Sequence, residues 1–93
     1  MELPERMIHQ SFRYVLGRRS YAVGEWIDWA YENWHRIPDW SKNIIKSDLK
    51  NEIEIDNHYR KQNDSMFAPL GSHYDRQSWI DFYNFITKEE DND

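Results

Sequence analysis

Histidine and carboxylate side chains are the groups in this sequence that could hold a metal ion, and four histidines are present. Glu32 and His35 have the Glu-x-x-His spacing that puts two ligands on one helix face in di-iron bundles. Such a centre needs a second Glu-x-x-His motif and a carboxylate from each of two further helices. The remaining pairs stand four residues apart instead and are Glu5 with His9 and Glu54 with His58. We therefore predict no metal site and no cofactor.

Nucleophilic and acid–base catalysis lack their usual signatures in this sequence. The chain has no cysteine, no Gly-x-Ser-x-Gly elbow and no glycine-rich phosphate loop, and its three glycines leave little material for tight loops around a substrate. A single domain of this length also has little volume for a deep pocket. We expect that the protein is not an enzyme.

Arginine and aromatic residues alternate near the end of the first predicted helix, a combination that binds nucleic acid by stacking bases and pairing with phosphates. The residues are Arg13, Tyr14, Arg18, Arg19 and Tyr21. Arginines at a helix C-terminus also favour the negative end of the helix dipole and can pair with neighbouring acidic helices. Nucleic-acid binding by this cluster is therefore an alternative hypothesis beside internal ion pairing.

Two rows of carboxylates run along predicted helices. They are Glu25, Asp28 and Glu32 on the second helix and Asp48, Glu52 and Asp56 on the third. One helical turn rises about 5.4 Å, which is within a factor of two of the phosphate repeat along a nucleic-acid strand. Two such rows on one face would imitate nucleic acid toward a basic groove. The simpler explanation is a pair of solvated helix faces.

Two of the five tryptophans do not fit a buried stripe. Trp26 and Trp34 fall on or beside the predicted buried face of the second helix, whereas Trp29 points away from it and Trp40 follows Pro38. A small domain has room for about three buried tryptophans. An exposed tryptophan beside carboxylates is typical of a protein–protein anchor, so we expect Trp29 or Trp40 to contact a partner or to close a homodimer.

Helical periodicity and breakers divide the chain into about four helices. The first spans about residues 4–16, with Gly17 as a left-handed cap, and the second must end before Pro38. A short strand at residues 21–23 is an alternative for the connector between them. We predict an all-α fold, a compact bundle of about four helices in a single domain over residues 1–93.

The third helix is predicted over about residues 41–62, with Asp39 or Ser41 as its N-cap. Residues 63–75 have the composition of a loop, which Ser72 or Asp75 then ends by capping the last helix. The loop's apolar residues are expected to fold back over the core and are Met66, Phe67 and Leu70. The acidic end, about residues 88–93, is expected to fray.

Charge is distributed unevenly along the 93 residues, whose formal net charge is −5. Residues 1–46 carry seven basic and six acidic side chains, and residues 47–93 carry five and eleven. The negative half disfavours direct nucleic-acid binding and suits a partner with a basic surface. The absence of cysteine fits a reducing compartment, and no apolar run has the ~20 residues that span a bilayer. We expect a cytoplasmic protein without a membrane partner.

The stretch FRYVLGRRSYAV at residues 12–23, followed by IDWAYENW at 27–34, resembles a family of small uncharacterised phage and prophage proteins. The shared pattern is Phe-Arg-Tyr-x-Leu-Gly-Arg-x-x-Tyr-x-Val before an amphipathic helix that ends near a tryptophan. The resemblance covers about the first fifty residues, and the acidic remainder is outside it. It implies a setting in the bacterial host cytosol, where small acidic phage proteins resemble host-takeover or anti-defence factors such as anti-CRISPR inhibitors.

The sequence thus leads to one principal hypothesis, a phage-type inhibitor that binds a host protein and occupies its nucleic-acid-binding groove. The residues expected to contact that partner are Glu25, Asp28, Trp29, Glu32, Trp40, Asp48, Glu52 and Asp56. The alternatives are a nucleic-acid accessory protein that uses the arginine cluster and a helical homo-oligomer that covers its exposed aromatic residues.

Overall fold

Four α-helices make up most of the protein in a computed structural model that describes residues 5–16 and 20–91. They are α1 (Glu5–Val15), α2 (Ser20–Asn33), α3 (Asp39–Lys61) and α4 (His73–Asp91). Two 3₁₀ turns, Trp34–Arg36 and Ser65–Phe67, follow α2 and α3. The predicted all-α bundle is confirmed.

Residues 21–23 belong to the first turns of α2, so the alternative of a short strand there is wrong. Val23 lies on the same buried stripe as Ile27 and Ala30, and this spacing of four and three residues is that of a helix. The described ranges contain no strand, so a strand at residues 21–23 would have had no partner there.

The helices pack around a square, with α1 and α4 each in contact with both α2 and α3. Helices α2 and α3 therefore stand diagonally opposite each other. Aromatic rings fill the centre: Phe12 of α1 meets Trp79 of α4 at 5.6 Å between ring centroids, nearly perpendicular, and Trp26 of α2 meets Phe82 at 5.7 Å. Edge-to-face pairs of this kind add to the stabilisation from burial.

Burial agrees with most of the predicted apolar stripes. Trp26, Trp34 and Trp79 are the three buried tryptophans in the described part of the chain, which matches the number expected for a domain of this size. Tyr31, which follows the buried Ala30 on α2, is 38% exposed.

None of the helices in the described residues combines the length and apolar character needed to cross a membrane.

The helix ends follow the predicted breakers with one exception. Ile37 is extended (φ −77°, ψ 133°) before Pro38, and the Oγ of Ser72 accepts a hydrogen bond from the backbone N–H of Asp75 at 3.2 Å, as an N-cap does. Helix α3 begins at Asp39 with Pro38 in the cap position, so Asp39 and Ser41 are helical residues and not caps.

Two expectations concern the residues just after α1 and the end of α4, which the structure describes only in part. The expected cap at Gly17 lies there, because residues 17–19 are not described. Residues 88–91, expected in a frayed tail, are helical within α4, and 92–93 are not described.

A buried carboxylate joins α3, the loop after it and α4. Asp56 is fully buried, and its Oδ2 accepts hydrogen bonds from Nε of Arg60 at 2.6 Å and from Nε of Arg76 at 2.9 Å. Its Oδ1 accepts the backbone N–H of Leu70 at 3.1 Å, and Arg60 also donates to the carbonyl oxygen of Gly71 at 2.6 Å. We call this set of contacts the Asp56 network.

Replacing Asp56 by Ala should lower the free energy of unfolding by about 3 kcal/mol or more, because two arginines and one backbone N–H would lose their acceptor. Urea denaturation followed by tryptophan fluorescence measures this change. Glu54→Gln, an exposed carboxylate on the same helix, should change stability by less than about 0.5 kcal/mol. A loss of under about 1 kcal/mol in D56A would show that the network is not what holds the loop.

Ser41→Ala should be neutral or stabilising by about 0.5 kcal/mol, although the residue is fully buried. The Oγ of Ser41 has no hydrogen-bond partner among the described residues, so the serine hydroxyl is desolvated without compensation. Ser47→Ala on the exposed side of α3 gains only helix propensity and is the control. A thermal midpoint of S41A below that of the wild type would contradict the expectation.

Candidate functional site

A groove opens where α1 passes α3 and the loop that follows α3. It has a volume of about 690 Å³, and we call it the α1–α3 groove. Its walls are Arg13, Leu16, Asp48, Glu52, Met66, Ala68, Pro69 and Gly71. Two members of the predicted acidic row and one member of the predicted arginine cluster thus meet in one place.

Arg13 is bound to a carboxylate of the protein itself. Its Nε donates a hydrogen bond to Oδ2 of Asp48 at 2.8 Å, and the two side chains are 58% and 32% exposed. This ion pair is the internal pairing considered for the arginine cluster, here made by Arg13. An exposed ion pair of this kind contributes at most about 1 kcal/mol to stability. Another charged group can therefore replace Arg13 at Asp48 at little cost.

Glu52 lies one turn further along α3 than Asp48 and is half-buried. It makes no hydrogen bond or ion pair to any other residue in the described ranges. Burial and, to a smaller extent, the negative charge of Asp48 raise the pKa of Glu52 above its usual value of 4.5. Of the described residues, two carboxylates and one guanidinium group therefore line the groove.

The apolar rim of the groove is an exposed turn that the sequence did not predict. Met66 is 84% exposed and Phe67 is 63% exposed, so the expectation that both fold back over the core is wrong. Leu70 alone of the three is buried, as expected. The sequence of this loop has no periodicity from which the inward residue could have been chosen.

The Asp56 network holds this turn in place. The backbone N–H of Leu70 on Asp56 and the guanidinium of Arg60 on Gly71 pull the loop onto α3 just after the turn. The backbone N–H of Phe67 donates to the carbonyl oxygen of Asp64 at 2.9 Å, and the Phe67 ring lies 6.2 Å from that of Tyr59. Met66 and Phe67 are thus presented to solvent on an ordered segment.

Asp56 does not belong to an acidic docking face, which corrects one of the predicted contact residues. The side chain is fully buried, and both of its oxygens are used inside the protein. A sequence signal for this burial exists, because Asp56 follows Ile45 and Leu49 at the spacing of the buried stripe of α3.

A second, apolar groove of about 380 Å³ lies on the other side of α1, against α2. Tyr14, Glu25 and Trp29 are among its walls. Trp29 is packed against the core and its ring lies 6.2 Å from that of Trp26, so the expectation that it points away from the core is wrong. The Trp29 ring thus lies between the core and this groove.

The predicted arginine–tyrosine cluster is divided by α1. Arg13 faces the α1–α3 groove and Tyr14 faces the groove against α2, so these two residues do not form one platform. Arg18, Arg19 and the side chain of Tyr21 lie outside the described residues.

The two acidic rows stand on helices that are diagonally opposite. On α2, Glu25, Asp28 and Glu32 are exposed. Burial raises the pKa of Tyr31 on the same helix, and the negative charges of Asp81 on α4 and of Asp28 raise it further. The rows therefore do not combine into one continuous surface.

Trp40, at the start of α3, is 45% exposed, and its ring meets that of His9 at 5.5 Å. It therefore remains accessible, as predicted for an anchor, although it does not line either groove. Among the described residues no group of three or more histidine, aspartate or glutamate side chains is arranged to hold a metal ion.

Glu52→Gln should stabilise the protein near neutral pH. Because the pKa of Glu52 is raised on folding, the stability linked to its proton is complete below the usual pKa of 4.5 and is lost as the pH rises through the raised value. A permanently neutral glutamine avoids this loss, so the gain of E52Q over wild type should shrink as the pH falls below about 4.5.

Thermal unfolding of both proteins between about pH 4 and pH 7 measures the effect. Glu54→Gln removes one negative charge from the exposed side of the same helix and controls for the change in net charge. A gain in E52Q that is the same at both ends of this range would contradict the assignment.

Comparison with known proteins gives no relative from which a function could be transferred: no protein-family model, no curated protein and no solved structure matches the chain.

Proposed function

We propose that this protein is a binding module that docks onto a basic partner protein and carries out no reaction of its own. The observation that supports this is the ordered turn on which Met66 and Phe67 stand 84% and 63% exposed. Large apolar side chains held in water are a source of binding free energy, about 1.5–3 kcal/mol for a side chain that becomes fully buried. Exposed apolar groups next to charged groups are typical of protein–protein interfaces.

The charge of the molecule favours a basic partner. Residues 47–93, which include the turn and the whole wall that α3 contributes to the groove, hold eleven acidic and five basic side chains. Such a field speeds the encounter with a basic surface and opposes the approach of nucleic acid. Arg13, the described member of the arginine cluster, is already paired with Asp48, which further disfavours the nucleic-acid hypothesis.

In its specific form, the proposal is that the module inhibits a host protein by covering a nucleic-acid-binding groove, as the resemblance to phage proteins implies. The exposed row Glu25, Asp28 and Glu32 and the exposed ring of Trp40 are available to extend such an interface. Asp48 and Glu52 contribute from the α1–α3 groove instead of from an open row.

Replacing Met66 and Phe67 together by Ser should weaken capture of the partner by about tenfold or more, because apolar anchors at an interface centre commonly contribute over 1.4 kcal/mol. The measurement is quantitative affinity capture from cells that express the protein, followed by mass spectrometry. Tyr74→Ser, which alters an equally exposed ring (75%) on α4, is the matched control and should retain the partner.

Circular dichroism should show that both variants keep the helical fold, since none of the three side chains is buried. Equal recovery of the partner with M66S/F67S and with wild type would contradict the proposal. Light scattering of the wild-type protein separates the homo-oligomer alternative, in which the turn would be covered by a second copy.

A further inference from the structure

We infer that the α1–α3 groove receives a lysine or arginine side chain of a basic, leucine-rich segment of the partner, with Glu52 as its counter-ion. This inference rests on the proposed function and deepens it, because it names the place and the chemistry of recognition. It is supported by the mixed walls of the groove, by a carboxylate that has no partner among the described residues and by the exposed turn at the rim.

Among the described residues of the groove, one carboxylate has no cation as a partner. Asp48 is paired with Arg13 at 2.8 Å, whereas Glu52 has no partner in the described part of the chain. A cation placed between the two carboxylates would replace the repulsion that Glu52 experiences from Asp48 by attraction to both. Because Glu52 is half-buried, that attraction is less screened than at an open surface.

Arg13 marks where the incoming cation would bind and competes with it. Its side chain is 58% exposed and stands at the same wall of the groove, so it can leave Asp48 at little cost. The partner's cation therefore either displaces Arg13 or binds at Glu52 beside it. In both cases removal of Arg13 makes the groove more negative and should strengthen binding.

The other walls suit the aliphatic part of such a segment. Leu16, Met66, Ala68 and Pro69 offer apolar surface that the methylene stem of a lysine and a neighbouring leucine can cover. A volume of about 690 Å³ is in the range of sites that hold several groups, and it is much larger than a single ion requires. The groove is therefore large enough to receive a segment of chain.

The test uses a short amphipathic peptide of leucine and lysine as the probe, titrated into the 93-residue protein by calorimetry and by NMR. We expect chemical-shift changes at Asp48, Glu52 and Met66. Glu52→Gln should weaken binding by about tenfold, and Arg13→Ala should strengthen it by about threefold. Glu54→Gln, which removes the same charge outside the groove, should change the affinity by less than about twofold.

A matched peptide of leucine and glutamate should not bind. The inference is overturned if neither peptide binds, if both bind equally, if E52Q and E54Q weaken binding to the same extent, or if the shifts fall in the groove beside α2. Since Glu52→Gln is expected to stabilise the fold, a loss of binding in that variant would not come from unfolding.

The two proposals fail in different ways. If partner capture depends on Met66 and Phe67 but Glu52→Gln leaves peptide binding unchanged, the inference about the groove is wrong and the proposal of a binding module stands. If the peptide binding depends on Glu52 but capture of the natural partner does not need Met66 and Phe67, the groove chemistry stands and the proposed docking turn is wrong.

Discussion

The rest of the structure depends on one buried carboxylate. Asp56 has no exposed surface, and it is held by the guanidinium groups of Arg60 and Arg76 and by the backbone N–H of Leu70. A buried charge is tolerable only when it is paired and its lone pairs are occupied, which is the case here. Through these contacts α3, the loop and α4 are tied together, and the direction of the exposed turn follows from them.

The network also explains why a small domain can keep large apolar side chains in water. The central cluster of Phe12, Trp79 and Phe82 already fills the space between the helices. Met66 and Phe67 would have to displace such rings to fold inward, and interiors packed to crystal-like density do not accept the added volume. Leu70 takes the inward position instead, and the turn faces solvent.

The position of α1 determines how the charges can act. It lies between α2 and α3, so its neighbouring residues Arg13 and Tyr14 face different grooves. The pairing of Arg13 with Asp48 partly neutralises the α3 side, while Glu52 stays without a cation in the described part of the chain. Among the described residues, Asp48, Glu52 and the apolar side chain of Met66 lie together in the α1–α3 groove, whereas the acidic row of α2 stands on a separate helix.

The sequence by itself determined the all-α class, a bundle of about four helices, the break at Pro38 and most of the buried stripes, and it limited the cap of α4 to Ser72 or Asp75. These follow from local rules, since the 3.6-residue period and the stereochemistry of proline act within a few positions of the chain. Only the tertiary structure decided which groups pair with the buried Asp56, that Met66 and Phe67 are exposed and that Arg13 pairs with Asp48. Those outcomes depend on which side chains from distant segments compete for the same space and charge, and no periodicity in one segment carries that information.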